Sequence, residues 1–127
     1  MKTILLVDDD PDVLSYLEDT LSFFGYNVVA KTDAEPALSV IRQGTAIDLV
    51  VTDYTMPGMD GVTFLTEVRN LVPSVPVVVL SGNDSIESHL RSLNLDSFDY
   101  LFKPFRSNEL RSVVKGALDK EVSIEWG

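Results

Sequence analysis

The chain has 127 residues, with 10 Lys and Arg against 20 Asp and Glu, so its formal net charge is −10. That length suits one domain, and 45% hydrophobic with 24% charged residues is the balance of a globular protein rather than a disordered one. The absence of cysteine excludes disulfides and thiolate sites, the single His89 excludes a multi-histidine metal site within one chain, and so acidic a domain is not expected to bind nucleic acid directly.

Thr3 to Val7 is the first predicted strand, and it runs straight into Asp8, Asp9 and Asp10. Its apolar run is too short for the roughly 7–15 apolar residues of a signal peptide or the about 20 of a membrane helix. No membrane insertion is expected, and the cytoplasm is the expected location. Asp10 then caps a helix with Pro11 at its first position, an apolar stripe of Val13, Leu14, Leu17, Leu21 and Phe24, and Gly25 as its stop. A second strand covers Asn27 to Ala30. Asp33 opens a second helix that turns Ala37, Leu38 and Ile41 inward and stops at Gly44.

The third strand covers Leu49 to Thr52, and the next helix turns Phe64, Leu65, Val68 and Leu71 inward before Pro73. A fourth strand, Val75 to Leu80, precedes a helix with Ile86, Leu90 and Leu93 on its inner face. The fifth strand, Phe98 to Phe102, alternates Phe98, Tyr100 and Phe102 with Asp99 and Leu101, the pattern of an edge strand. The last helix starts near Ser107 and carries Leu110, Val113, Val114, Ala117 and Leu118. One domain over residues 1–121 is expected, with 122–127 as a tail or the start of a linker.

Strand and helix alternate throughout, and three of the strands are nearly all apolar, as strands covered on both faces are. Right-handed crossovers turn this order into an α/β fold: a doubly wound parallel sheet of five strands with five helices. Ligands of such sheets bind beyond the carboxyl ends of the strands. The residues that carry chemistry lie there.

Asp10 is accounted for as a helix cap, which leaves Asp8 and Asp9 as adjacent carboxylates with no structural task. A hard divalent cation, Mg²⁺ above all, would relieve their repulsion. Asp53 closes the third strand, where burying a carboxylate is costly without a cation. The turn after it already has Pro57, Gly58, Asp60 and Gly61, so Asp53 is free for another role. Ser81 and Gly82 end the fourth strand. Lys103 and Pro104 end the fifth, and the proline is expected to hold the lysine's direction, with a cis bond as one means. An acid pair, an aspartate, a hydroxyl and a lysine at successive strand ends make a phosphoryl-transfer site, in which Asp53 is the nucleophile. No Gly-rich phosphate loop accompanies them, so no nucleotide is expected.

The pieces LLVDDD, DLVVTDYTMPGMDG, VPVVVLSG and DYLFKPF, in this order and at this spacing, closely resemble the receiver domain of two-component response regulators. The resemblance spans residues 2 to 120 and implies a flavodoxin-like, receiver-like fold. It implies that Asp53 is the phosphoacceptor, that Asp9 ligates Mg²⁺ directly and Asp8 mainly through water, and that the backbone carbonyl of Thr55 completes the protein ligands. Ser81 is then the switch hydroxyl, Lys103 the phosphate-sensing cation, and Tyr100 the switch aromatic, expected to turn from exposed to buried. Thr55 and Asn83 would flank attacking water and tune hydrolysis. The implied donor is a sensor histidine kinase or phosphotransfer protein, and the implied output is a partner surface or a homodimer formed on phosphorylation.

The chain departs from the family at Asp96-Ser97, where a small Gly-Ala pair is common, and at Phe98, which adds apolar area near the fifth strand. His89 is expected to be exposed and to have no phosphodonor role. Two other readings compete. A Mg²⁺-dependent phosphatase with an aspartyl nucleophile usually has an acid two residues after it, where this chain has Thr55, and also a cap domain. A pseudo-receiver that only binds partners would not need every acidic and switch position filled.

Overall fold

Apolar residues alternate between two cores along every central strand. In β1 (Thr3–Val7), Leu5 and Val7 face one layer of helices while Ile4 and Leu6 face the other. β3 (Leu49–Asp53) and β4 (Val77–Ser81) repeat this, with Val50, Val77 and Val79 on the first face and Leu49, Val51, Val78 and Leu80 on the second. A strand coated on both sides has no reason to alternate polar with apolar, which is why these segments read as continuous apolar runs. The computed structural model describes residues 1–54, 59–82, 85–93 and 98–126, and of residues 120–126 the backbone.

With β2 (Asn27–Lys31) and β5 (Asp99–Phe102) the strands form one parallel sheet in the order β2-β1-β3-β4-β5. β5 is an edge, as its alternation implied. Helices α2 (Ala34–Arg42), α3 (Gly61–Leu71) and α4 (Ser85–Ser92) cover one face. Helices α1 (Pro11–Phe23) and α5 (Ser107–Trp126) cover the other. Among the described residues no helix is long and apolar enough to cross a membrane.

Helix ends follow the local chemistry. The Asp10 carboxylate accepts from the N–H groups of Asp12 and Val13 at 2.9 and 3.4 Å, with Pro11 at the first helical position. Gly25 and Gly44 take φ of +97° and +85°, the left-handed conformation that ends α1 and α2. Asp33 stands at the start of α2, but its side chain makes no capping bond. β4 starts at Val77 rather than Val75, because the Val75 N–H is turned to the carbonyl of Val72 and Pro76 has no N–H.

Two residues expected to face inward do not. Leu71 is 38% exposed because α3 ends there and Val72 packs on the core instead. Leu93 is 45% exposed because α4 ends at Ser92, leaving Leu93 in the following turn. α5 remains helical to Trp126.

Gly61 opens α3 against the chain that follows β3. A Cβ there would lie 2.6 Å from two ring carbons of Tyr54 and 2.6 Å from the Tyr54 carbonyl oxygen, and a backbone oxygen cannot step aside as a side-chain tip can. Gly116, in the middle of α5, would place a Cβ in open space. Gly61→Ala is therefore expected to destabilise by about 1–3 kcal/mol. Gly116→Ala is expected to stabilise by about 0.5–1 kcal/mol. Denaturant unfolding of both variants checks the opposite signs.

Candidate functional site

β1 has β2 on one side and β3 on the other, so the winding reverses between β1 and β3 and leaves a crevice at their carboxyl ends. Both strands deliver an aspartate into it. Asp8 follows β1, its N–H bonded to the Lys31 carbonyl, and only 1% of the residue is exposed. Asp8 Oδ1 accepts from the Asp10 N–H at 2.9 Å, so the turn that caps α1 also orients Asp8. Asp9, between them, is exposed. Asp53 closes β3 half-buried, and the Thr52 hydroxyl donates to its carbonyl oxygen at 3.0 Å. One carboxylate oxygen from each of Asp8, Asp9 and Asp53 lies within 4.8 Å of the other two.

Among the described residues, a single lysine faces this cluster. Lys103 Nζ is 3.6 Å from Asp53 Oδ2 and 3.8 Å from Asp8 Oδ2. Its backbone N–H donates to the Ser81 carbonyl at 2.7 Å, which ties the end of β5 to the end of β4. The Lys103–Pro104 bond is cis. Ser81 is buried at the end of β4. Asp8, Asp9, Asp53, Ser81 and Lys103, predicted from separate stretches of sequence, thus converge on one crevice. Thr55 and Asn83 lie outside the described residues, as do Asp96 and Ser97.

The crevice is short of positive charge. Among the described residues, the buried Asp8 Oδ2 has no hydrogen-bond partner, since 3.8 Å from Lys103 is too long for one. Burial raises the Asp8 pKa above the ordinary aspartate value, and the carboxylates of Asp53 and Asp9 push it the same way. The Asp10 N–H and the Lys103 ammonium pull against that without cancelling it. An orphaned carboxylate oxygen among three acids is a donor set that a hard divalent cation fits, and the cluster could hold one.

Two expectations near β5 need correction. Tyr100 is not exposed: it is half-buried against the α2–α4 core, its hydroxyl oxygen is buried, and its ring stacks on Phe102. Phe98 adds no apolar surface, being 6% exposed under the Arg69 guanidinium, which lies 5.0 Å from its ring centroid. Arg69 is held there by bonds to the carbonyls of Pro73 and Val75. His89 is exposed, as expected. Thr52 was missed, although a lone hydroxyl in the otherwise apolar run before Asp53 was its signal.

Residues 4–115 match the family model described as the response regulator receiver domain. The chain is 38% identical over 120 residues to the transcriptional regulatory protein PrrA of Mycobacterium tuberculosis, covering 94% of this chain and 51% of that one. It is 34% identical over 122 residues to the transcriptional regulatory protein ZraR of Escherichia coli K12, covering 96% and 27%. The chain spans about half or less of these curated relatives. Among solved structures, a CheY-like response regulator receiver domain protein from Methanospirillum hungatei has a TM-score of 0.88 at 30% identity, covering 97% of this chain and 98% of that one. NtrX from Brucella abortus has a TM-score of 0.87 at 31% identity, covering 98% of this chain and 29% of that one.

The raised pKa of Asp8 has a signed consequence. The folded state holds the Asp8 proton more tightly than the unfolded chain does, so this group's stabilising contribution is complete below the ordinary value of 3.8. It is lost as pH rises through the raised folded value. Asp60, held below the usual carboxylate range by the Thr63 N–H, works in the opposite direction and is common to wild type and variant. Asp8→Asn should therefore melt a few degrees above wild type at neutral pH without metal, and the gap should narrow on acidification. Thermal melts of both proteins across pH check this.

Proposed function

Because this chain belongs to the response regulator receiver domain family of two-component systems, we propose that it accepts a phosphoryl group onto Asp53 from the phosphohistidine of a partner histidine kinase or phosphotransfer protein. The observation that carries this reading is one ammonium group, Lys103, within 4 Å of both Asp53 and Asp8 at the point where the winding reverses. An Asp53 carboxylate oxygen attacks phosphorus, the P–N bond to the donor imidazole breaks, and the imidazole leaves with that electron pair. Lys103 then pairs with the new phosphoryl oxygens, and the Ser81 hydroxyl donates to one of them. Mg²⁺ held by Asp8, Asp9 and Asp53, with the Thr55 carbonyl, would supply the remaining neutralising charge.

The domain is a signalling module rather than an enzyme on other substrates: its chemistry is transfer to its own aspartate and loss of that group to water. Its output is a change of shape around Ser81 and Tyr100 that a partner or a second copy reads. The buried position of Phe98 leaves self-association without the support expected of it.

Two measurements test this. With Mg²⁺ and acetyl phosphate the protein should gain one acid-stable, base-labile phosphoryl group, and Asp53→Asn should gain none. Labelling of Asp53→Asn at the wild-type rate would remove the reading. Mg²⁺ alone should raise the Tm of the metal-free protein by binding only the folded state. Asp9→Ala should lose most of that rise and most of the labelling. An unchanged response would place the metal elsewhere.

A further inference from the structure

We propose that Phe102 is a positioning residue that holds the Tyr100 ring inward before any phosphoryl group is present. In the β4–β5 register Val79 pairs with Tyr100 and Ser81 with Phe102. Partners in a parallel register point to the same face, so Ser81, Tyr100 and Phe102 share the face covered by α2, α3 and α4. The rings of Tyr100 and Phe102 are nearly parallel, 6° apart in plane, with centroids 6.2 Å apart. That is an offset stack, a favoured arrangement of aromatic pairs.

The edge position of β5 gives the stack its weight. Among the described residues no strand lies beyond β5, so Tyr100 is located by β4, by the helical layer and by its same-face neighbours along its own strand. Those neighbours are Phe98, fixed beneath Arg69, and Phe102. Turning Tyr100 outward would break the stack and move its buried hydroxyl into water.

This inference rests on the proposed function in one respect: the change around Tyr100 is taken to be the turn inward on phosphorylation that the family resemblance implies. Phe102 then shifts the resting equilibrium toward that arrangement by roughly two- to tenfold, the size expected of one aromatic pair. Phosphorylation would have correspondingly less left to shift.

The test uses the full chain labelled with 3-fluorotyrosine. The Tyr100 signal among the four tyrosines is assigned with Tyr100→Phe, and exposure is read as ¹⁹F line broadening by a neutral gadolinium chelate. In unmodified wild type Tyr100 should be largely shielded, and beryllofluoride with Mg²⁺ should shield it further. In Phe102→Ala it should become broadened, and beryllofluoride should restore the shielding. Phe102→Tyr, which keeps a flat ring, should behave as wild type. Phe102→Leu, which keeps apolar bulk and serves also if the alanine variant fails to fold, should behave as Phe102→Ala. An exposed Tyr100 in wild type overturns the proposal, as does full shielding in Phe102→Leu. Failure of beryllofluoride to bind, seen as no bound-fluoride signal, would instead sink the phosphoacceptor reading, while the comparison without beryllofluoride still decides the role of Phe102.

Discussion

One carboxylate buried at the end of an apolar strand sets the terms for the rest of the crevice. Asp8 sits where the ladder from β1 would ordinarily deliver another apolar side chain, and half of its carboxylate is satisfied by the Asp10 N–H. Among the described residues, the other oxygen has only a lysine 3.8 Å away, which it shares with Asp53. A buried charge that lacks its full set of partners destabilises the fold that holds it. The arrangement makes sense as one completed from outside by a cation. Stability is given up at the strand ends so that binding has something to relieve.

Holding that charge in place requires stiffness nearby, and the two cores supply it. Leu5, Leu6, Val50, Val51, Val79 and Leu80 are fully buried, so the ends of β1, β3 and β4 stand on packed side chains that have no room to move. Local bonds refine the aim. The Thr52 hydroxyl bonds the Asp53 carbonyl, the Ser81 carbonyl fixes the Lys103 backbone, and Tyr54 beyond Asp53 lies against Gly61. The three consecutive aspartates divide the work: Asp10 caps α1, its N–H turns Asp8 into the crevice, and Asp9 remains open to solvent.

Most of this was legible in the sequence because it is written in short-range chemistry. Strands covered on both faces announce themselves as apolar runs, Asp10-Pro11 is a helix start, and polar residues ending apolar runs mark the crevice. What stayed hidden depended on meetings between distant segments. The inner face of α3 could be read, but not that Val72 rather than Leu71 would take its last place. The alternation of β5 identified an edge strand, yet an edge of a doubly wound sheet is still covered by helices. Its aromatic residues could therefore be assigned to a face without knowing how deeply that face was buried. The depth of Phe98 is hidden for the same reason: nothing near it in the chain signals that Arg69, at the end of α3, will lie across its ring.

The same contrast between a packed centre and a lightly bounded edge decides where a change at Asp53 can go. Val79 and Leu80 leave β4 no freedom to absorb a displaced Ser81 side chain, and β3 on the other side is equally filled. Phe102, in register with Ser81, and Tyr100, one pair further along the same face, are both only half-buried and, among the described residues, have no strand beyond them. Displacement is taken up where packing is least complete, so under the proposed function it would pass from Ser81 to these rings rather than into the sheet. In the proposed switch, an aromatic pair on an edge strand is the part of this fold that would adopt two arrangements, and the stack between its rings would set which of them the unmodified protein prefers.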